Sequence, residues 1–297
     1  MVIDAGSIGL LADLDRQRQV RHVVITHEHI DHIASLPILL ENVYEPGPGS
    51  VELLAADDVL TFLKRDIFNG RVWPDFFDLS TDEDAFLHAT PIAAGEPLER
   101  AGLTITPLAV DHCVDTLGLV IDDGQTAVAF PSDTGPTESF WQHLAALPRL
   151  AAVFLEVSFP NAHRELAAHT GHHCPATFAE EVRKLSRPVR WIVVHRKARF
   201  ADEIRRELDA LALPGLELVE PGRSYSFQPR RRTRPRVCGG CRRITPPAAE
   251  PESERPVAVG ACSHRRQAPK PQGPWPLAPA PERRRGTAAC HRQHGSS

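Results

Sequence analysis

Short apolar runs alternate with segments of helical periodicity over most of the chain. Runs of about four to eight apolar and β-branched residues are typical of buried strands, whereas apolar residues three or four positions apart predict helices. Residues 69–100 show little periodicity of either kind. The runs predict strands at 22–26, 51–55, 103–110, 117–121, 126–130, 151–157 and 191–194, and the periodicity predicts helices at 33–43, 57–68, 137–147, 175–186 and 200–212. This alternation predicts a layered α/β or α+β fold.

The pattern ends after Phe227. Residues 229–297 are rich in Pro, Arg, Ala and Gly, and they contain 15 of the 34 Lys and Arg residues but only 4 of the 38 Asp and Glu residues. Such a segment cannot bury enough apolar surface to offset the entropy lost on ordering. We therefore predict a folded domain at 1–228 and a disordered Pro/Arg-rich tail at 229–297, with a weakly nucleic-acid-binding arm as the alternative interpretation of the tail.

Composition places the chain among ordinary globular proteins, with 42% hydrophobic and 24% charged residues. No window approaches the roughly 20 apolar residues that a membrane span needs, and the N-terminus lacks the layout of a signal peptide. We expect a soluble, cytoplasmic protein that does not bind membranes, and a homodimer is left open. Because residues 1–228 are strongly acidic, we expect a phosphate-bearing substrate to be small or to be drawn in by bound cations.

Histidine and aspartate are dense immediately after the first long apolar run. Residues 27–32 read His-Glu-His-Ile-Asp-His and supply four potential metal ligands, which are His27, His29, Asp31 and His32. Imidazole nitrogen and carboxylate oxygen suit zinc, manganese or iron. On a turn from strand to helix, the four side chains can point towards two adjacent sites. The segment therefore predicts a pair of divalent metal ions, with zinc as the first choice.

Further candidate ligands stand where later strands are predicted to end. His112, Asp133 and His195 each follow an apolar, strand-like run. The alternative explanation is that these histidines are ordinary surface residues in turns. That explanation is reasonable for any single residue but poor for the whole set. Glu28 is not expected to be a ligand, because it points away from the others on an alternating turn. Glu156, at the end of a strand, is a candidate for orienting a ligand histidine from behind.

This set of residues resembles the metallo-β-lactamase fold superfamily, whose His-x-His-x-Asp-His motif is matched by residues 27–32. The resemblance extends from residue 2 to about residue 227. It implies a four-layered αβ/βα sandwich with the metal ligands on loops at one edge of two sheets. By position, it implies a first ion bound by His27, His29 and His112, a second bound by Asp31, His32 and His195, and a bridging Asp133.

Four further segments look like the class II cyclic-nucleotide phosphodiesterases of that superfamily. Two departures, Ala198 in place of a usual proline and Ile30 in place of a usual leucine, leave the ligands intact. The resemblance implies a dinuclear hydrolase that cleaves 3',5'-cyclic AMP or GMP to the 5'-nucleotide, with a metal-bridging hydroxide as the nucleophile. The matching segments are 130–135, 154–161, 172–175 and 195–197.

The residues expected to act on the substrate lie near the last ligand. His172 is the candidate for contacting the phosphate or protonating the leaving 3'-oxygen. The adjacent residue His173 is also a histidine and could take the same role. Together with the ligand Asp31, His172 forms the predicted catalytic pair. Lys197 is a candidate for binding the substrate phosphate, and a solvated lysine is the alternative. The base is expected to bind within 69–100 or 159–172.

Residues 1–7 correspond to the second or third strand of the superfamily's fold, so its opening hairpin is expected to be missing. That loss would uncover a sheet edge, which favours aggregation and loosens the metal geometry.

Three alternative functions stay open. An endonuclease resembling the tRNA 3'-end processing enzymes shares the first motif, but the separation of 62 residues between Asp133 and His195 leaves little room for an RNA-binding arm. A thioester, lactone or β-lactam hydrolase would use the same scaffold. A metal-binding protein without catalysis is the third alternative.

Overall fold

The structure is a computed structural model that describes residues 1–47 and 49–227. Two sheets face each other, and helices cover the outer face of each. The first sheet is parallel and has the strand order β1-β2-β3-β4. Its strands are β1 (Val2–Ile3), β2 (His22–Val24), β3 (Val51–Ala55) and β4 (Leu87–Pro91).

The second sheet has seven strands in the order β11-β10-β9-β8-β7-β6-β5. Strands β5 to β8 pair antiparallel, and strands β8 to β11 pair parallel. The strands are β5 (Leu98–Arg100), β6 (Leu103–Val110), β7 (Thr116–Asp122), β8 (Ala127–Ser132), β9 (Leu150–Glu156), β10 (Arg190–Val194) and β11 (Leu216–Leu218).

The α-helices lie in two groups along the chain, one associated with each sheet. The N-terminal group is α1 (Leu14–Gln17), α2 (Ile30–Ile33), α3 (Leu36–Val43) and α4 (Asp57–Phe62). The C-terminal group is α5 (Ser139–Ala145), α6 (Arg164–His169), α7 (Pro175–Val182) and α8 (Ala201–Ala210). A π-helix (Leu63–Ile67) extends α4, and short 3₁₀ helices occupy Ile8–Leu10, Asn161–His163 and Ala198–Phe200.

Side chains of the first sheet point alternately to its two faces and so pack against both neighbouring layers. Val23 and Leu53 point to the helices of that sheet, whereas their neighbours Val24 and Leu54 pack with Ile105 of the second sheet. Successive side chains of a strand point to opposite faces, so one pair of strands contributes to two separate cores. Another apolar cluster joins the second sheet to α5, α7 and α8. The predicted four-layered αβ/βα sandwich is confirmed.

The structure has strands where strands were predicted and helices where helices were predicted, with three differences. The helix predicted over 33–43 is divided into α2 and α3, and α2 begins inside the histidine motif. The helix predicted over 57–68 changes to π-helix at Leu63. Strands β4, β5 and β11 and the short helices α1 and α6 were missed. Strand β4 lies at a sheet edge and buries only Leu87 of its five residues, so it carries no alternating apolar signal.

Some predictions lie outside this description. The disordered tail at 229–297 and its alternative, a nucleic-acid-binding arm, fall outside the described residues. The domain boundary at residue 228 therefore stays a prediction. None of the helices in residues 1–47 and 49–227 has the length and hydrophobicity that a membrane-spanning helix needs.

A buried serine ties the motif helices to the loop after β1. Ser35 is fully buried, and its hydroxyl donates to the Ala5 carbonyl at 2.6 Å and accepts from the Gly9 amide at 2.9 Å. We expect Ser35→Ala to lower the free energy of unfolding by about 1–3 kcal/mol, because buried polar groups lose their partner. Urea unfolding measures the change. Ser7→Ala, at an exposed serine in the same loop, is the control and should stay within about 0.5 kcal/mol; equal effects would contradict the prediction.

Candidate metal centre

The predicted ligands meet at one edge of the sandwich. The loop that leaves β2 carries His27 and His29 and leads into α2, which contains Asp31 and His32. The other three follow strands of the second sheet, His112 after β6, Asp133 after β8 and His195 after β10. Strands β8, β9 and β10 run parallel, so their carboxyl ends lie at the same edge, where ligands of such sheets usually bind.

A first set of donors consists of His27, His29, His112 and Asp133, whose donor atoms lie within 4.8 Å of one another. His29 Nδ1 is 3.1 Å from His27 Nε2 and 3.3 Å from His112 Nε2. One ring nitrogen carries either one proton or one lone pair, so His29 Nδ1 cannot form a hydrogen bond with both. Two nitrogens bound at about 2.1 Å to one tetrahedral zinc ion lie about 3.4 Å apart. The spacing therefore fits a shared cation.

A second set consists of Asp31, His32 and His195, with donor atoms again within 4.8 Å. His195 Nε2 lies 3.1 Å from an Asp31 carboxylate oxygen. Asp133, a member of the first set, also approaches this one, with 3.3 Å to His32 Nε2 and 3.4 Å to His195 Nδ1. The Asp133 carboxylate therefore lies between the two sets.

A buried ring nitrogen without a hydrogen-bond partner also indicates that these residues suit divalent cations. His32 Nε2 is buried without a hydrogen-bond partner, although it faces the Asp133 carboxylate. A buried polar atom without a partner is costly, and a bound cation would satisfy it. The donor set of imidazoles and carboxylates suits zinc, manganese or iron. Which ions bind, and which side chains bind them, stay predictions.

Asp4, which sequence reasoning missed, supports both sets from behind. Its carboxylate accepts hydrogen bonds from the Thr26 amide at 2.8 Å and the Thr26 hydroxyl at 2.9 Å, and it lies 2.7 Å from His32 Nδ1. The Thr26 hydroxyl is in turn 3.0 Å from His27 Nδ1. Asp4 therefore fixes the ring of His32 directly and that of His27 through Thr26. Its position at the end of the short apolar run Val2–Ile3 is the signal that could have identified it.

The other two strand-end histidines have their own supports. His112 Nδ1 donates to the Gly171 carbonyl, 2.8 Å away, and His195 Nδ1 lies 2.8 Å from the Ser158 hydroxyl. Gly171 has a φ of +64°, and a Cβ there would meet the His112 backbone at 2.9 Å. This close approach requires glycine. Outer contacts of this kind set the orientation of ligand rings.

Backbone strain is concentrated at the same edge. Asp4, Ser132 and His195 have φ values of 57°, 61° and 53°, and each stands at or immediately after the end of a strand. Non-glycine residues seldom adopt this region, and such strain persists where surrounding contacts impose it. The hydrogen bonds of Asp4, Ser132 and His195 within the site are those contacts.

Charges at the centre are strongly coupled. Burial lowers the pKa of His27 to about 3, and the neighbouring His32 adds to this effect. Burial alone would also lower the pKa of His32, but the carboxylates of Asp133 and Asp4 raise it to about 10. Burial opposes ionisation of Asp133, yet His32 and His195 hold its pKa well below the usual range. Asp133 is therefore anionic and His27 neutral, the forms that bind a cation, whereas His32 is protonated and would have to release a proton when a cation binds.

His172 lies beside both sets. Its ring centroid is 5.0 Å from that of His112 and 5.6 Å from that of His195. The fully buried Glu156 has a carboxylate oxygen 2.6 Å from His172 Nδ1. Glu156 therefore orients His172. The expectation was that it would orient one of the seven predicted ligands. His172 can also offer a donor atom within 4.8 Å of those of Asp133 and His195.

The remaining predicted residues lie around His172. Lys197 Nζ lies 5.3 Å from the centre of the Phe159 ring, which is 5.8 Å from the His172 ring. His173 is fully buried, its Nδ1 lies 3.1 Å from the Thr177 hydroxyl, and burial lowers its pKa to about 3. His173 is therefore a core residue, whereas His172 and Lys197 border the centre.

Asp4 provides a test of this support. We expect Asp4→Asn to weaken the binding of the ion nearest His32 by about 10–100-fold, because the ring loses its charged partner. Competition with a chromophoric chelator measures the two affinities. Asp82→Asn, at an exposed aspartate far along the chain, is the matched control and should leave both affinities unchanged. Unaltered affinity in Asp4→Asn would show that His32 needs no carboxylate behind it.

Comparison with known proteins places these features in a family context. The model of the beta-lactamase superfamily domain matches residues 6–196. A probable 3',5'-cyclic-nucleotide phosphodiesterase of Yersinia pestis is 27% identical, over 74% of this chain and 73% of that protein.

Solved structures show the same fold. Unliganded yeast PDE1 has a TM-score of 0.58 at 20% identity, with 68% of this chain and 66% of that chain covered. This chain therefore spans just under two thirds of the yeast protein. The short form of human tRNase Z has a TM-score of 0.55 at 15% identity, with 76% and 87% covered. At these identities the likeness concerns the fold alone.

Proposed function

The chain belongs to the β-lactamase superfamily, and from that premise we propose that it is a metal-dependent phosphodiesterase that hydrolyses 3',5'-cyclic AMP or GMP to the 5'-nucleotide. The observation that carries the proposal is the Asp133 carboxylate between two donor sets, with His172 beside them. The Yersinia pestis relative, named a probable 3',5'-cyclic-nucleotide phosphodiesterase, supports the choice of substrate.

Two divalent cations would occupy the two donor sets. His27, His29 and His112 would hold one, the three members of the second set would hold the other, and Asp133 would contact both. When bound, such ions lower the pKa of water towards about 7 and neutralise phosphoryl oxygens as charge develops. The net charge of residues 1–228 is strongly negative, so the cations would also attract a small anionic substrate that the protein surface alone repels.

The side chains beside the centre would handle the proton and the phosphate. Glu156 engages Nδ1 of His172, so Nε2 is the atom that remains to donate a proton to the leaving 3'-oxygen. The buried carboxylate keeps the ring in one orientation. Lys197, placed over Phe159 next to His172, would contact a phosphate oxygen of the substrate.

A substrate panel tests the proposal. The purified chain, loaded with zinc or manganese, is expected to hydrolyse cyclic AMP or cyclic GMP and to produce only the 5'-nucleotide. Precursor tRNA, a thioester, a lactone and a β-lactam complete the panel, and product chromatography is the readout. A metal-loaded chain that leaves both cyclic nucleotides intact while cleaving another member of the panel would overturn the proposal.

His172 provides a test of the proton donor. We expect His172→Gln to lower kcat for cyclic AMP by about 10²–10⁴-fold, because the leaving oxygen loses its proton source. Metal content, measured by plasma mass spectrometry, should stay at the wild-type value. His143→Gln, at an exposed histidine on α5, is the control and should retain full activity. If His172→Gln lost metal and activity together, His172 would instead be a metal ligand.

A further inference from the structure

A buried serine lies beside the last candidate ligand, His195. Ser158 stands two residues after the end of β9, and its surface is fully buried. The pairing of β9 with β10 continues past the end of β9, because the Val157 amide donates to the Val194 carbonyl at 3.2 Å. The Ser158 amide donates to the His173 carbonyl at 3.1 Å. The backbone of this serine is therefore held from two sides, next to His195.

One hydroxyl contacts both the ring and the backbone of His195. Ser158 Oγ lies 2.8 Å from His195 Nδ1 and 3.1 Å from the His195 carbonyl oxygen. A hydroxyl has one proton to donate, and a carbonyl oxygen can only accept. Both contacts can be hydrogen bonds only if the hydroxyl donates to the carbonyl and accepts from Nδ1. His195 Nδ1 must then carry the proton of the neutral ring.

This tautomer decides which nitrogen of His195 can bind a cation. With the proton on Nδ1, the lone pair is on Nε2, which lies 3.1 Å from a carboxylate oxygen of Asp31. Asp31 and His195 belong to the second donor set. The Asp133 carboxylate lies farther from His195 Nδ1 than the serine does, at 3.4 Å. Because the hydrogen bond of one ring nitrogen sets the role of the other, Ser158 leaves Nε2 free for a cation.

The same hydroxyl holds the backbone of His195 in an unfavourable conformation. The φ of His195 is 53°, a value that non-glycine residues seldom adopt. Such strain persists where surrounding contacts impose it, and the bond from Ser158 to the His195 carbonyl is one of them. Removal of the hydroxyl would therefore release the ring and the backbone of this residue together.

The hydroxyl also faces the candidate proton donor. Ser158 Oγ lies 3.4 Å from His172 Nδ1, and the rings of His172 and His195 are nearly parallel, with 21° between their planes. The shorter contact of His172 Nδ1, at 2.6 Å, is to the Glu156 carboxylate. Ser158 therefore lies between a candidate ligand and the candidate acid, and the hydroxyl is committed to the ligand.

We propose that Ser158 is a positioning residue, which selects the tautomer of His195 and thereby sets the affinity of the second donor set for its ion. The inference rests on the two-cation centre of the proposed function. Its role is indirect, because the side chain acts on His195 and not on the substrate. The expected signature is a loss confined to one of the two ions.

Three variants test this role by chelator competition, which measures the affinity for each ion. His195→Gln identifies the affinity that belongs to the second set. We expect Ser158→Ala to lower that affinity by about 10–100-fold and to leave the other unchanged, and Ser158→Thr, which keeps the hydroxyl, to recover most of the loss. Ser80→Ala is the matched control, because the Ser80 hydroxyl also bonds to backbone groups, the Phe76 carbonyl and the Phe86 amide. It should leave both affinities unchanged.

A measurement on the unaltered chain does not depend on how the variants fold. NMR of ring nitrogens in the zinc-loaded protein distinguishes the two tautomers, and the signals of His195 are those absent from His195→Gln. We expect the proton on Nδ1 and zinc on Nε2. Zinc on Nδ1 of His195 would overturn the inference. Equal affinities in Ser158→Ala and Ser80→Ala, or an equal loss of both ions in Ser158→Ala, would also overturn it.

Neither measurement needs turnover, so this inference and the proposed function can fail separately. If the metal-loaded chain leaves cyclic nucleotides intact but Ser158→Ala still binds the second ion more weakly, the proposed function fails and the role of Ser158 stands. If the chain hydrolyses cyclic AMP and Ser158→Ala keeps wild-type affinity for both ions, the role of Ser158 alone is rejected.

Discussion

Asp133→Asn is expected to lose roughly half of the bound metal and to lower kcat/KM for cyclic AMP by about 100-fold or more. Asp133 approaches imidazoles of both sets, at 3.3 Å from His32, 3.4 Å from His195 and 3.9 Å from His27. Substitution of a residue that only supports a metal ligand typically lowers metal affinity or activity by about 10–100-fold. Substitution of a ligand shared by two ions should lower them at least as much. Asparagine keeps the shape but removes the charge that balances two cations.

Metal content and activity must be measured together to interpret this variant. Plasma mass spectrometry gives the ions per chain, and product formation gives kcat/KM. Asp58→Asn, at an exposed position on α4, removes the same charge far from the centre and should match wild type. An Asp133→Asn protein that retains both ions and full activity would exclude Asp133 as a shared ligand.

The sequence predicted the parts of the site that depend on local chemistry. Ligands such as His112 and His195 stand one or two residues after the end of a predicted strand, so their positions at a sheet edge follow from the strand pattern. Their convergence with the 27–32 motif was implied by the family resemblance, and the geometry brings all seven residues together. Periodicity alone would not have chosen which strand ends become neighbours.

What the sequence could not give depends on contacts between distant segments. Asp4 follows a strand of only two residues, too short for a reliable pattern, yet it supports His32 across 28 positions. The partner of Glu156 was misjudged because nothing in the chain around it specifies which histidine faces it.

Gly6→Ala is expected to displace the histidine motif and to destabilise the whole centre. A Cβ at Gly6 would lie 1.9 Å from the Asp31 carbonyl oxygen and 3.0 Å from its carbon. The contacted atoms are backbone, so no side chain can rotate away. The adjacent hydrogen bond from the Ala5 amide to the His32 carbonyl, at 2.7 Å, holds the two segments together. Overpacking of this kind costs about 1–3 kcal/mol or more.

Because Asp31 and His32 belong to the second donor set, relief of the clash must move ligands as well as backbone. We expect the free energy of unfolding to fall by about 3 kcal/mol, and affinity for the second ion to fall by at least about 10-fold. Denaturant unfolding of the metal-free protein and chelator competition measure the two effects separately. Gly49→Ala, at an exposed glycine with open space around its position, is the matched control. Wild-type affinity for both ions in Gly6→Ala would mean that the loop after β1 does not fix the geometry of the motif.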